Sequence, residues 1–150
     1  MKEKVVTLDA AYRRFCVPSI ESKGYMIENV RDVNKGRHKY IMCNGVRFCF
    51  IYKRAFFGTY SQQFQEEGVG ESINVDRLFW CIDHHVDFIL IGYPDGKIYA
   101  VNPNDWKQYC DSHGTYRKVI KVEYDKNWGK KVERKEATAS IPINIMKRWN

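Results

Sequence analysis

Apolar positions recur along this chain with two different periods, and the changes of period mark its elements. Behind Thr7, a suitable N-cap, Leu8, Ala11, Tyr12, Phe15 and Cys16 fall at helical spacing, and Gly24 stands at the stop. The spacing predicts a helix from Leu8 to Lys23. Pro18 predicts an end or a kink inside it, with Ser19–Lys23 as a short continuation. Tyr25 to Val33 alternates as a strand, and Asn34-Lys35-Gly36 reads as a turn. His38–Cys43 and Val46–Arg54 are strands joined by Asn44-Gly45, a two-residue hairpin signal. Val46, Phe48, Phe50 and Tyr52 share one face of the second strand, and Arg47, Cys49, Ile51 and Lys53 the other.

The stretch from Ala55 to Gly70 fits a loop or a short helix. Asn74 then caps a helix that runs to His85, with Val75, Leu78, Phe79 and Ile82 on one face. Asp87–Gly92 is almost wholly apolar, which predicts a central strand buried on both faces. Pro94-Asp95-Gly96 turns the chain into a partner strand, Lys97–Val101. A short helix from Pro103 to Cys110 follows, capped by Asn102 or Asn104. Tyr116–Tyr124 is another strand, Lys126–Lys135 a basic hairpin or loop, and Ser140-Ile141-Pro142 opens a helical turn over Ile143–Trp149. The order α β β β (α) α β β α β α predicts an α/β or α+β fold. Its mixed central sheet is flanked by helices, in one domain spanning 1–150.

Composition narrows the class. Hydrophobic content of 44% supports a packed core. No apolar run approaches the length of a membrane span, and the N-terminus lacks the apolar stretch of a signal peptide. Five scattered cysteines without a C-x-x-C read as small buried hydrophobes in a reducing compartment. These features predict a soluble cytoplasmic protein that no membrane partners.

Charge is unevenly spread. Residues 1–60 carry 12 Lys/Arg against 5 Asp/Glu, residues 61–115 carry 3 against 9, and residues 116–150 carry 10 against 4. The blocks sum to +7, −6 and +6, and so to the overall +7. Basic ends around an acidic middle suit two stretches facing one polyanion, of which nucleic acid is the commonest. The basic segments also carry aromatics: Arg37-His38-Lys39-Tyr40, Lys53-Arg54-Ala55-Phe56-Phe57, and Arg117-Lys118 through Trp128-Gly129-Lys130-Lys131. Lysine and arginine neutralise backbone phosphates, and aromatics stack on splayed bases. Arg37, Lys39, Arg54, Arg117, Lys118, Lys130 and Lys131 are the candidate nucleic-acid contacts, and the Lys126–Lys135 hairpin is the candidate arm.

Three stretches together resemble the PD-(D/E)XK nuclease-like superfamily. They are the N-terminal helix with the hairpin Tyr40–Lys53, the helix and apolar strands of Asn74–Val101, and the terminal Ser140-Ile141-Pro142-Ile143. Each is a hydrophobic pattern rather than a chemical signature. The resemblance implies a restriction-endonuclease-like fold and Mg²⁺-dependent cleavage of DNA more readily than RNA, with homodimers common in the group. In that family acids hold Mg²⁺, while a lysine steadies the attacking water and the developing charge. Lys53 matches the lysine, and Glu21 the glutamate on the first helix. Ile51 stands where the motif acid belongs, and the first-strand acid would fall near Lys39-Tyr40. Two substitutes remain open as metal ligands. One is an acid from further along the chain, Glu66, Glu67, Glu71 or Asp76; the other is Asp32.

Three functions therefore stand: a Mg²⁺-dependent endonuclease, a non-enzymatic nucleic-acid-binding module on the same scaffold, and a protein-interaction domain using the acidic middle. His84-His85 reads as a pair of cationic caps at a helix C-terminus, and Gly68-Val69-Gly70 as a flexible join rather than a phosphate cradle.

Overall fold

Two parallel strands at the centre of a mixed sheet organise the molecule. A computed structural model describes residues 6–33, 38–53, 70–125, 129–142 and 145–150. Its strands are β1 (Ile27–Val33), β2 (His38–Cys43), β3 (Val46–Tyr52), β4 (Gly70–Asn74), β5 (Phe88–Gly92), β6 (Ile98–Val101), β7 (Tyr116–Asp125), β8 (Lys130–Pro142) and β9 (Lys147–Arg148). The helices are α1 (Leu8–Ala11), α2 (Val17–Ser22), α3 (Val75–Asp83) and α4 (Pro103–His113), with a π-helical turn, Tyr12–Cys16, between the first two. A six-stranded sheet runs β1-β2-β3-β5-β6-β9, in which only β3 and β5 pair in parallel; a separate three-stranded antiparallel sheet runs β4-β8-β7. The fold is mixed α/β, as the pattern predicts.

Alternation decides the layers. Phe48 on β3 and Leu90 on β5 join Cys16, Ile20 and Cys43 in one core, beneath the N-terminal helical segment. Cys49, Ile51, Ile89 and Ile91 face the other way, into a core completed by Leu78, Cys81, Trp106, Cys110, Ala139 and Ile141. The second core thus sits between the large sheet and a layer made of α3, α4 and the small sheet. Ile89, Leu90 and Ile91 are each fully buried, as an apolar strand covered on both faces requires.

The punctuation residues act as their chemistry dictates. Thr7 accepts the Ala10 N–H, Asn74 that of Asp76, and Asn102 those of Asn104 and Asp105. Asn44 and Gly45 both take positive φ, the geometry of a tight hairpin turn. The helix does not stop at Pro18. The preceding turn widens to π geometry, in which the Val17 N–H reaches the Tyr12 carbonyl. A proline lacks its own N–H and crowds the carbonyl four residues back, and a wider turn absorbs both defects without ending the helix.

The expected mixed central sheet is present, and a second, three-stranded sheet stands beside it. The basic stretch expected as a hairpin or loop belongs to the antiparallel β7–β8 pair, whose second strand is long: Lys130–Pro142 forms one β8 paired with β7 and, at its end, with β4. One expectation is corrected. The expected C-terminal helical turn gives way at Lys147–Arg148 to β9, which pairs with Tyr99 and Ala100 on β6. Asn150 explains that ending. Its side chain accepts the Ile98 N–H and donates to the Gly96 carbonyl, both at 2.8 Å, which fastens the last residues along the sheet edge.

Candidate functional site

Lys53 and Tyr93 immediately follow the carboxyl ends of the two parallel strands, and the Lys53 N–H donates to the Gly92 carbonyl at 2.9 Å. Crevices outside the carboxyl ends of parallel strands are the usual ligand sites of open α/β sheets. Glu71 enters the same place from β4 of the small sheet. Its Oε1 lies 3.4 Å from Lys53 Nζ and accepts the Ser72 N–H at 2.9 Å, and its Oε2 accepts the Tyr93 hydroxyl at 2.6 Å. Lys53 Nζ also donates to the Ser72 carbonyl at 2.7 Å. The lysine side chain keeps 30% of its surface exposed and the glutamate 12%, so the ammonium lies at the rim and the carboxylate beneath it.

Tyr93 is buried, and burial is the main cause of the upward shift of its pKa; the Glu71 charge and hydrogen bond add to it. The folded protein therefore holds this proton more tightly than the unfolded chain does. Tyr93 contributes stability that is complete below the ordinary tyrosine pKa of about 10 and is lost as pH rises above it. Tyr93→Phe is expected to flatten part of the alkaline loss of stability, measured as unfolding free energy on either side of that pH. An alkaline slope identical to that of the parent would rule out this role for the Tyr93 proton.

The fold brings together only some of the residues singled out in the sequence. Glu71, one of the possible substitute acids, does reach Lys53. Glu21 does not: it is exposed on α2, whose Ile20 packs on the opposite face of the large sheet. The alternation that turns Lys53 toward the small sheet therefore turns it away from the first helix. Asp32 stands opposite Lys39 in the β1–β2 ladder, beyond the last β2–β3 rung at Ile41 and Phe48. Lys39 and Lys130 lie within strands, while Arg117, Lys118 and Lys131 are exposed on the β7–β8 ladder. Glu66, Glu67, Arg37 and Arg54 lie outside the described residues. Tyr93 was missed because a tyrosine after an apolar strand reads as core; its position at the end of a buried strand was the available signal.

Ile51 is a core residue, packed with Cys49, Ile89 and Ile91, so the position where the motif acid would stand supplies packing instead. Mg²⁺ demands an octahedral shell of oxygens. Glu71 offers one carboxylate, and both its oxygens already accept hydrogen bonds. Among the described residues no group of three His, Cys, Asp or Glu could hold a metal ion. The described side chains do not by themselves fit Mg²⁺.

The remaining chemical candidates are structural. The His84 ring stacks on Trp80 at 4.3 Å with Nδ1 2.9 Å from the Trp80 carbonyl, as a residue closing a helix does. All five cysteines are buried. No described helix is long and apolar enough to cross a membrane.

The second charged feature is the β7–β8 ladder, which has ten register pairs from Tyr116↔Ala139 to Asp125↔Lys130. The strand β4 covers β8 only from Thr138 to Pro142. From Lys118↔Ala137 outward the described sheet is a two-stranded ribbon, roughly 25 Å long at ~3.4 Å per residue. Lys118 and Ala137 face each other and are both exposed, as are Lys131 and Glu133 nearer the tip. Comparison of the chain with known protein families, with curated proteins and with solved structures finds no match.

Proposed function

We propose that this protein binds nucleic acid, DNA in preference to RNA, and that the β7–β8 ribbon supplies the main contacts on a nuclease-like scaffold. The ribbon is the observation that carries this reading. Lys/Arg occupy positions 117, 118, 121, 130, 131, 134 and 135 of its two strands, against acids at 123, 125, 133 and 136. Its register sets Lys121 directly opposite Arg134. Like charges in that position destabilise a ladder, and a line of phosphates relieves them. A two-stranded ribbon also has the width to enter the major groove of a duplex. Lys53, at the rim of its crevice, contributes a further phosphate contact.

The test is a titration of labelled duplex, single-stranded DNA and RNA at several salt concentrations. Log affinity is expected to fall linearly with log salt, because each neutralised phosphate releases counterions. A flat response would remove this reading and leave the acidic middle of the chain as a protein-docking surface.

One observation favours the hydrolytic reading, that the protein is a Mg²⁺-dependent endonuclease: Glu71 stands beside Lys53. That activity needs ligands in addition to the described side chains. Mg²⁺-dependent cleavage of DNA abolished by Lys53→Ala and by Glu71→Gln would establish it, and intact DNA after incubation of the parent protein with Mg²⁺ would dismiss it.

A further inference from the structure

We infer that the stacked rings of Tyr109 and His113, at the foot of the β7–β8 ribbon, are a platform for one unpaired base of the bound nucleic acid. This rests on the role proposed for the ribbon and adds a ligand class to it: a duplex that carries a single-stranded overhang. The two rings lie one turn apart on α4, with centroids 4.0 Å apart and planes 12° from parallel. His113 Nδ1 is 3.0 Å from the Tyr109 carbonyl. A carbonyl only accepts, so Nδ1 carries the proton and the imidazole is fixed in orientation.

Tyr109 packs partly against the core between the sheets, on the helix that Trp106 and Cys110 anchor there. One face of His113 is covered by Tyr109, yet the residue as a whole is exposed, so its outer face meets solvent. A flat π-face held by packing and open on one side is what base stacking uses, and it suits any base. The pair that closes α3 is built alike but placed differently. Trp80 and His84 also stack, but His84 is half-buried and its carbonyl accepts from Arg47 of the large sheet.

Cations follow the platform within a few residues. Gly114 takes a left-handed φ of 64°, which ends α4; buried Thr115 then leads into β7 at Tyr116. Arg117 is exposed, and its Nη1 donates to the Gly114 and Tyr116 carbonyls at 3.3 Å, so the guanidinium sits against the residue after His113. Those bonds engage one nitrogen of a group built to grip phosphate through several. Lys118 is exposed beside it. The nearby acid, Asp111, is engaged by Lys107 and by the Tyr116 hydroxyl. A strand leaving the duplex at the foot of the ribbon thus meets a stacking face for a base and cations for its phosphates.

The test uses the full chain and labelled probes that share one DNA duplex: blunt, with a short single-stranded overhang, and with an abasic overhang of the same length. Overhangs are placed at the 5′ and the 3′ end in turn. The abasic overhang keeps the phosphates and lacks the bases. The parent should bind the base-bearing overhang about tenfold more tightly than the abasic one. His113→Ala should abolish that difference and leave affinity for the blunt duplex at the parent's value. His113→Phe, which keeps a ring, should retain most of the difference. His85→Asn, at the exposed end of α3, should behave as the parent. A 2-aminopurine in the overhang, whose emission falls on stacking, reads the contact in the unaltered protein. Equal affinity of the parent for base-bearing and abasic overhangs at both ends overturns the inference and leaves the ribbon's role intact. A preference that survives in folded His113→Ala places the stacking face elsewhere and also overturns it. Failure to bind any of the probes removes the nucleic-acid reading itself, and this inference with it.

Discussion

Trp106→Ala is expected to destabilise the protein by about 3–5 kcal/mol, the range for truncating a fully buried large aromatic. Trp106 is fully buried on α4, in the core shared by the two sheets, and its indole N–H donates to the Ala139 carbonyl on β8 at 3.2 Å. Truncation leaves a cavity and an unsatisfied carbonyl beside the one helix that also anchors Cys110 to the Ser140 carbonyl. Domains of this size are stable by roughly 5–15 kcal/mol, so the variant would lose a large share of its margin. Denaturant unfolding is the measurement. A midpoint close to the parent's would mean that α4 contributes little to holding the small sheet against the large one. Lys107→Ala on the exposed face of the same helix, where Lys107 pairs with Asp111, is expected to leave the unfolding midpoint close to the parent's, because exposed ion pairs contribute little.

Replacing Lys118, Lys130 and Lys131 together by alanine is expected to weaken DNA binding by about 100-fold at 0.1 M salt. It should also make the slope of log affinity against log salt shallower by about 2 to 3. Lys118 and Lys131 are exposed, and all three lie on the two strands of the ribbon. Lys118 and Lys131 are exposed and no lysine of the three belongs to either core cluster, so thermal unfolding should stay near the parent's. Lys107→Ala, on helix α4 rather than on the ribbon strands, is the matching control and should bind like the parent. A triple variant with the parent's salt slope would place the contact surface elsewhere than on the ribbon. The same titration separates backbone neutralisation from base reading, because phosphate contacts weaken all sequences alike.

The local elements were legible to different depths. The Asn44-Gly45 hairpin, the caps Thr7, Asn74 and Asn102, and the buried strand Phe88–Gly92 follow from chemistry within a few residues, and each stands where the pattern places it. β4 was not legible: Gly70–Asn74 is short and polar and gains its ladder only from β8, far along the chain. β8 was hidden for a related reason. Its dense charge reads as a hairpin or loop, and the length of the strand there is set by register with β7. The C-terminal strand is likewise fixed by partners on β6 rather than by its own two residues.

The candidate site divides in the same way. The sequence alone determined that Lys53 follows a half-buried strand, that Ile51 beside it cannot ligate a metal, and that cations cluster toward the chain's ends. Those conclusions need only side-chain period and residue chemistry. Which acid meets Lys53 was decided by the tertiary structure. Glu71 and Tyr93 come from strands of two different sheets, and the packing of the small sheet on Ile89, Ile91 and Trp106 carries them to the carboxyl ends of β3 and β5. Glu21 was excluded by the same geometry, because a strand that turns one face to the small sheet must turn the other to the first helix. Periodicity fixes which side of an element a residue occupies; only the arrangement of layers fixes what lies across from it.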